Sequence, residues 1–127
     1  MYIYKYMIIM INSLFEVRHI IPKEETEKLL LILEKGSINY NMTVIIGEQV
    51  KQVSTASYEK WYTKNITPNN GIWIGNGITD QYVLKVGKNT AEMHEDITDN
   101  FGFYVYGGKS QKMKVMKNVD SILMNEF

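Results

Sequence analysis

Apolar residues fall along this chain in three kinds of pattern. Tyr6-Met7-Ile8-Ile9-Met10-Ile11 is a short, nearly continuous apolar run that ends abruptly in the polar pair Asn12-Ser13, the pattern of a strand buried on both faces. After a turn region reaching His19, Pro22 stands where a first helical residue would. Glu24 and Glu25 fall in the positive first turn, and Leu29, Leu30, Ile32 and Leu33 form an apolar stripe, so a helix is expected here, ended by Gly36. Met42 to Gly47 is again short and β-branched, a second buried strand reached through a helical crossover. Strand, helix and strand in this order predict parallel pairing.

The C-terminal half reads differently. A helix is expected from Ser54, whose hydroxyl would cap it, through Tyr58, Trp61 and Tyr62 to the break at Thr67-Pro68-Asn69-Asn70. Gly71-Ile72-Trp73-Ile74-Gly75 supplies a third strand, Gln81 to Val86 a short fourth, and Thr90 to Ile97 a helix. A hairpin follows, with arms Phe101 to Tyr106 and Gln111 to Met116 joined around Gly107-Gly108. In the second arm Met113 and Val115 would point inward, Lys112 and Lys114 outward. The fold class is therefore α/β, a mostly parallel sheet with a C-terminal antiparallel β-hairpin, in one domain over residues 1–127.

Composition removes several function classes. Fourteen basic residues balance fourteen acidic ones, so the chain lacks the field of a nonspecific duplex binder. Without cysteine there is neither a disulfide framework nor a thiolate metal site, and two histidines, His19 and His94, offer little to zinc. Lys5 interrupts the N-terminal apolar run, which falls short of the roughly 18 residues a bilayer span needs.

Six local features invite chemistry. Gly107-Gly108-Lys109-Ser110 looks like the end of a phosphate-binding loop, but position 103 is Phe103 where that loop needs glycine, so a hairpin turn is the better reading. Gly71, Gly75 and Gly77 miss the dinucleotide spacing because position 80 is Asp80, and a strand ending in a tight turn explains them. His94, Glu95, Asp96 and Asp99 read as a solvated surface rather than a metal cluster. The serines at 13, 37, 54, 57, 110 and 121 lack a nucleophile-elbow context. Tyr58, Trp61 and Tyr62 suit packing or base stacking. Lys109, Lys112, Lys114 and Lys117 suit either an anionic partner or a solvated edge strand.

Several blocks in order carry a resemblance. They are Ile8-Ile9-Met10-Ile11-Asn12-Ser13, the helix end Leu33-Glu34-Lys35-Gly36, Val44-Ile45-Ile46-Gly47-Glu48-Gln49, Gly71-Ile72-Trp73-Ile74-Gly75 with Thr79-Asp80, and Gly102-Phe103-Tyr104-Val105 before Gly108-Lys109. Their order and spacing, over about residues 3 to 117, resemble the second half of a FtsK/SpoIIIE-type motor ATPase domain. The last, degenerate ATPase module of EssC/EccC-type type VII secretion proteins is most similar. The resemblance implies a partial RecA-like three-layer sandwich whose first strand ends at the Walker B positions. Matching the pattern places these at Asn12 and Ser13, an amide and a hydroxyl where the family has acids that hold magnesium and polarise water. The family's sensor glutamine matches Gln49, which would equally serve as a strand-end residue capping local backbone.

The family's P-loop precedes the Walker B strand by many tens of residues and has no counterpart in these 127 residues. Either the chain is the C-terminal piece of a longer protein or a central strand is supplied otherwise, and an uncovered hydrophobic edge would pair with another chain or an upstream segment. The implied role is a binding or regulatory module in protein export, holding no cofactor itself, with ATP and magnesium belonging to the full-length protein. Implied partners are neighbouring ATPase domains and secreted WXG100-like proteins, with homo-oligomerisation possible and DNA not expected. The implied location is the cytoplasmic side of a membrane-anchored secretion ATPase. The alternative is an active ATP-hydrolysing translocase domain once joined to its P-loop half.

Overall fold

The computed structural model describes residues 6–98 and 100–116, apart from the side chain of Ser37. Asp99, Lys117 and Ser121, named above as candidates, lie outside the described residues. The fold is mixed α/β, with a parallel two-stranded sheet and an antiparallel three-stranded sheet, consistent with the expected partial RecA-like fold. The chain divides into two compact units, Met1–Thr67 and Pro68–Phe127.

The first unit runs β1 (Met7–Asn12), α1 (Leu14–Ile20), α2 (Lys23–Asn39), β2 (Met42–Gly47), α3 (Val50–Ala56) and α4 (Lys60–Asn65). β1 and β2 pair in parallel from Met7↔Met42 to Asn12↔Gly47, as the strand-helix-strand order predicts. Helix residues Leu14, Leu33 and Trp61 form the core here, packed against Ile11, Val44 and Ile46 on one face of the sheet. Among the described residues the opposite face is open: Ile8 is 59% exposed, Met10 76% and Ile45 49%. β1 is thus covered on one face only, which corrects the expectation of a strand buried on both.

Three helix boundaries differ from the expected ones. The segment before His19 is not a turn: Ser13 caps α1 by accepting the Glu16 amide at 3.3 Å. Gly36 does not end α2, which continues to Asn39 and stops where Asn41 takes a positive φ of 56°. Its lack of a side chain serves close packing, because a Cβ there would lie 3.0 Å from Met42 Sδ. The helix expected from Ser54 is two helices, and Ser54 lies inside the first, its hydroxyl donating back to Val50 O at 2.9 Å. Between them the Ser57 hydroxyl donates to Ser54 O at 2.7 Å and closes α3.

The second unit holds β3 (Asn70–Ile74), β4 (Phe101–Tyr106) and β5 (Lys109–Lys114), in the order β3-β4-β5. Its core is Ile78, Met93, Ile97, Phe103 and Val105, with Trp73, Leu84, Val86 and Phe101 packed around it. Gln81 to Val86 is a loop rather than a strand. The Gln81 side chain donates to Ile78 O and Leu84 O and accepts from the Leu84 amide, taking the place of ladder partners. Within Thr90 to Ile97 only the turn Ala91–His94 is helical. Asn76 diverts the rest, accepting the Ile97 amide at 2.7 Å and donating to Asp96 at 2.6 Å.

Gly107 and Gly108 form the two-residue hairpin turn with φ of 56° and 74°, so the phosphate-loop lookalike is turn chemistry. This turn pairs Tyr106 with Lys109 and hence Phe103 with Lys112, which reverses the expected facing of the second arm. Lys112 lies on the Phe103 face, its amine 2.6 Å from Glu95 and 5.5 Å from the Phe101 ring centre, while Met113 lies opposite Gly102 on the other face. Nothing lies within 4 Å of a Cβ built at Gly108. Gly108→Ala is therefore expected to cost only the left-handed backbone term, about 1 kcal/mol in urea unfolding, with Gly107→Asn near neutral.

Candidate functional site

Parallel pairing brings the C-terminal ends of β1 and β2 side by side, with Asn12 opposite Gly47. In parallel α/β sheets this end is where ligands gather. Asn12 is exposed, and its Oδ1 would stand 3.1 Å from a Cβ at Gly47, so the glycine leaves room for the amide. The Asn12–Ser13 peptide bond is cis. The register of β1 against β2 brings Asn12 and Ser13 next to the turn that leads into Glu48 and Gln49.

Glu48 organises this end, and the sequence reading passed over it. Its Oε2 accepts the Ser13 hydroxyl at 2.6 Å and the Phe15 amide at 2.9 Å, while Oε1 accepts its neighbour's amide, that of Gln49, at 3.0 Å. One carboxylate thus ties the first turn of α1 to the entry of α3 and satisfies two backbone donors that helix starts leave open. Its signal was present in the sequence as an acid directly after a strand-ending glycine, at the point where the family pattern places its sensor. Gln49 is exposed; its backbone carbonyl accepts the Gln52 and Val53 amides, and its side chain makes no cap hydrogen bond.

Burial pushes the Glu48 carboxyl up, but the hydrogen bonds from Ser13, Phe15 and Gln49 outweigh it and hold the group below its ordinary value of 4.5. Glu59 behaves alike: burial raises it, and hydrogen bonds from Arg18 at 2.8 Å and Trp61 at 2.9 Å bring it below the ordinary value. A depressed folded pKa means the unfolded state binds protons first on acidification. The stability these two groups contribute is complete above the ordinary glutamate range and is lost as pH falls through their folded values.

The strand end can accept and donate hydrogen bonds, and the carboxylate that contacts Ser13 there, Glu48, is already engaged by three donors. Among the described residues no group of three His, Cys, Asp or Glu side chains gathers to hold a metal ion. His94, Glu95 and Asp96 do not converge: Glu95 pairs with Lys112 and Asp96 accepts from Asn76. Trp61 is core, Tyr62 half-buried against it, and Tyr58 is 90% exposed, so only the first two pack as a helical stripe would.

This architecture is that of a partial RecA-like α/β unit. The chain is similar in structure to the cytoplasmic domain of EssC, with a TM-score of 0.66 and 14% sequence identity over 87% of this chain and 21% of that one. At that identity the likeness is one of fold, and the chain spans about a fifth of that protein's length. No family model and no curated protein matches the sequence. No helix among the described residues is long and apolar enough to cross a membrane.

Proposed function

We propose that this chain is a degenerate ATPase-like module of a type VII secretion motor protein, with a binding or regulatory role in protein export. The observation that carries it is the chemistry of the β1 end. Asn12 and Ser13 stand at the Walker B positions of the resembling family, and neither bears charge. The Ser13 hydroxyl is spent on Glu48 and the α1 cap. Without a carboxylate there, magnesium loses the anchor that P-loop ATPases use, and the strand end acts as a structural clamp. On this reading nucleotide and magnesium belong to other parts of the motor, Gln49 is a relic of the sensor position, and the partners are neighbouring ATPase domains and small WXG100-like secreted proteins. The module would work on the cytoplasmic side of a membrane-anchored assembly.

Glu48 favours a second reading. It places a carboxylate 2.6 Å from Ser13 and supplies the negative charge that positions 12 and 13 lack. Joined to a P-loop half, such a site would hydrolyse ATP with Glu48 in the acid's role. Turnover assays on the native polypeptide carrying this chain separate the two. The degenerate reading expects magnesium-dependent hydrolysis to be unchanged by Glu48→Gln and Asn12→Ala. A loss of 100-fold or more on Glu48→Gln, with the fold kept, would establish the active site instead.

A further inference from the structure

β4 is the middle strand of the second sheet, and its two faces have opposite surroundings. Phe103 and Val105 point into the core of the second unit. An antiparallel sheet that meets water on its other face carries polar residues there. This one does not. The strand registers place Ile72 and Ile74 of β3, Tyr104 and Tyr106 of β4 and Met113 of β5 on that other face, and both isoleucines and both tyrosines are exposed. The tyrosine rings lie 6.3 Å apart and 10° from parallel, an apolar strip along β4. Lys109 is the one charged residue among the described strand positions of this face, and it sits at the hairpin end. Three strands make a face about 10 Å wide and about 17 Å long, the width of one helix. An apolar face of this size calls for a cover.

We infer that residues 117–127 form that cover, folding back from β5 as a helix antiparallel to it. These eleven residues lie outside the described ones and follow directly on the sheet, whose ladder the Val115 amide carries past Lys114 by donating to Asn100 O at 2.7 Å. Val119, Ile122, Leu123 and Phe127 recur at helical and not at strand spacing, while Asn118 suits the N-cap and Asp120 the first turn. Eleven helical residues measure about 16 Å, close to the length of the face. The chain leaves the sheet at the end away from the Gly107-Gly108 turn. From Lys117 to Glu126 a helix then advances about 14 Å toward Lys109. Glu126 is the one charge inside the apolar stripe, and it arrives at the one charge on the face. An untethered partner has to compete with a segment held at roughly millimolar effective concentration. Residues 1–5, too few for two helical turns, belong to the other unit. Neither the face nor the segment enters the motor reading.

NMR of the full 127-residue chain reads this contact. A helix so short is marginal in water by itself, so helical carbon shifts over 118–127 report docking. Nuclear Overhauser contacts are expected from the Val119 methyls to Met113, from the Leu123 methyls to Tyr104 and from the Phe127 ring to Tyr106. Leu123→Asp lies outside both cores and leaves the sheet folded. It is expected to lose these contacts and the helical shifts, and to raise the fluorescence of an apolar dye through the uncovered face. Lys109→Glu is expected to weaken the contacts, and Glu126→Lys in the same chain to restore them. A mixture of labelled and unlabelled chains separates this arrangement from one in which the segment crosses to a second copy. Coil shifts over 118–127, contacts found only between differently labelled chains, or contacts unchanged by Leu123→Asp overturn the inference. So does a charge exchange that restores nothing.

Discussion

Trp61→Ala is expected to cost about 3–5 kcal/mol, enough to unfold the first unit under mild conditions. Two losses combine. Trp61 is 5% exposed and forms the core with Leu14 and Leu33. Its indole N–H also donates to Glu59 Oε2 at 2.9 Å, leaving Arg18 as that carboxylate's other partner at 2.8 Å. Trp61→Phe keeps most of the apolar volume and drops the hydrogen bond, so it is expected to cost about 1–2 kcal/mol. Urea titrations followed by circular dichroism measure both. Equal costs for the two variants would mean that the indole N–H, not packing, dominates.

Glu48→Ala is expected to cost about 2–3 kcal/mol, large for a partly exposed side chain. The Ser13 hydroxyl and the Phe15 and Gln49 amides lose a charged acceptor at once, and water replaces it only in part. Glu48→Gln keeps one acceptor oxygen and is expected to recover about half of the loss. The wild type is expected to lose this contribution on acidification below the ordinary glutamate value of 4.5, because hydrogen bonding holds the folded pKa lower. Glu48→Ala should therefore show a flatter decline of stability with falling pH. An identical acid limb in both proteins would remove Glu48 from the clamp.

The strands were legible because their signals are local. β1, β2, β3 and the first hairpin arm are short apolar runs bounded by polar or glycine residues, and a strand can be read from such a run alone, whereas the second arm, Lys109–Lys114, follows from the glycine turn before it. The helix ends were not. Gly36 looks like a stop but serves the approach of Met42, a contact made by β2 and invisible to the helix's own sequence. Gln81 and Asn76 replace regular structure with side-chain hydrogen bonds whose partners are chosen by the fold. Lys112 was turned the wrong way because facing depends on which residues close the hairpin, and a two-residue turn moves the pairing by one.

The site divides along the same line. Asn12, Ser13 and Gln49 are candidates by the order of blocks alone, whereas Glu48 emerges when parallel pairing brings residues 35 apart into hydrogen-bond contact. The family pattern drew attention to the residue after Glu48. The physical chemistry of the strand end centres instead on the acid before it, because a carboxylate between two helix starts answers several donors at once. On the proposed degenerate reading, the neutral pair at the end of β1 and the engaged carboxylate at the end of β2 act together as a clamp without a cation.

Manganese titration read by backbone NMR of the full chain, with ATP present, tests that claim most directly. A bound paramagnetic ion broadens amide signals close to it. With the strand end working as a clamp, the Asn12, Ser13 and Glu48 signals should keep their widths at millimolar manganese. Selective broadening centred on these three residues, abolished by Glu48→Gln, would place a divalent cation at the strand end and contradict the account.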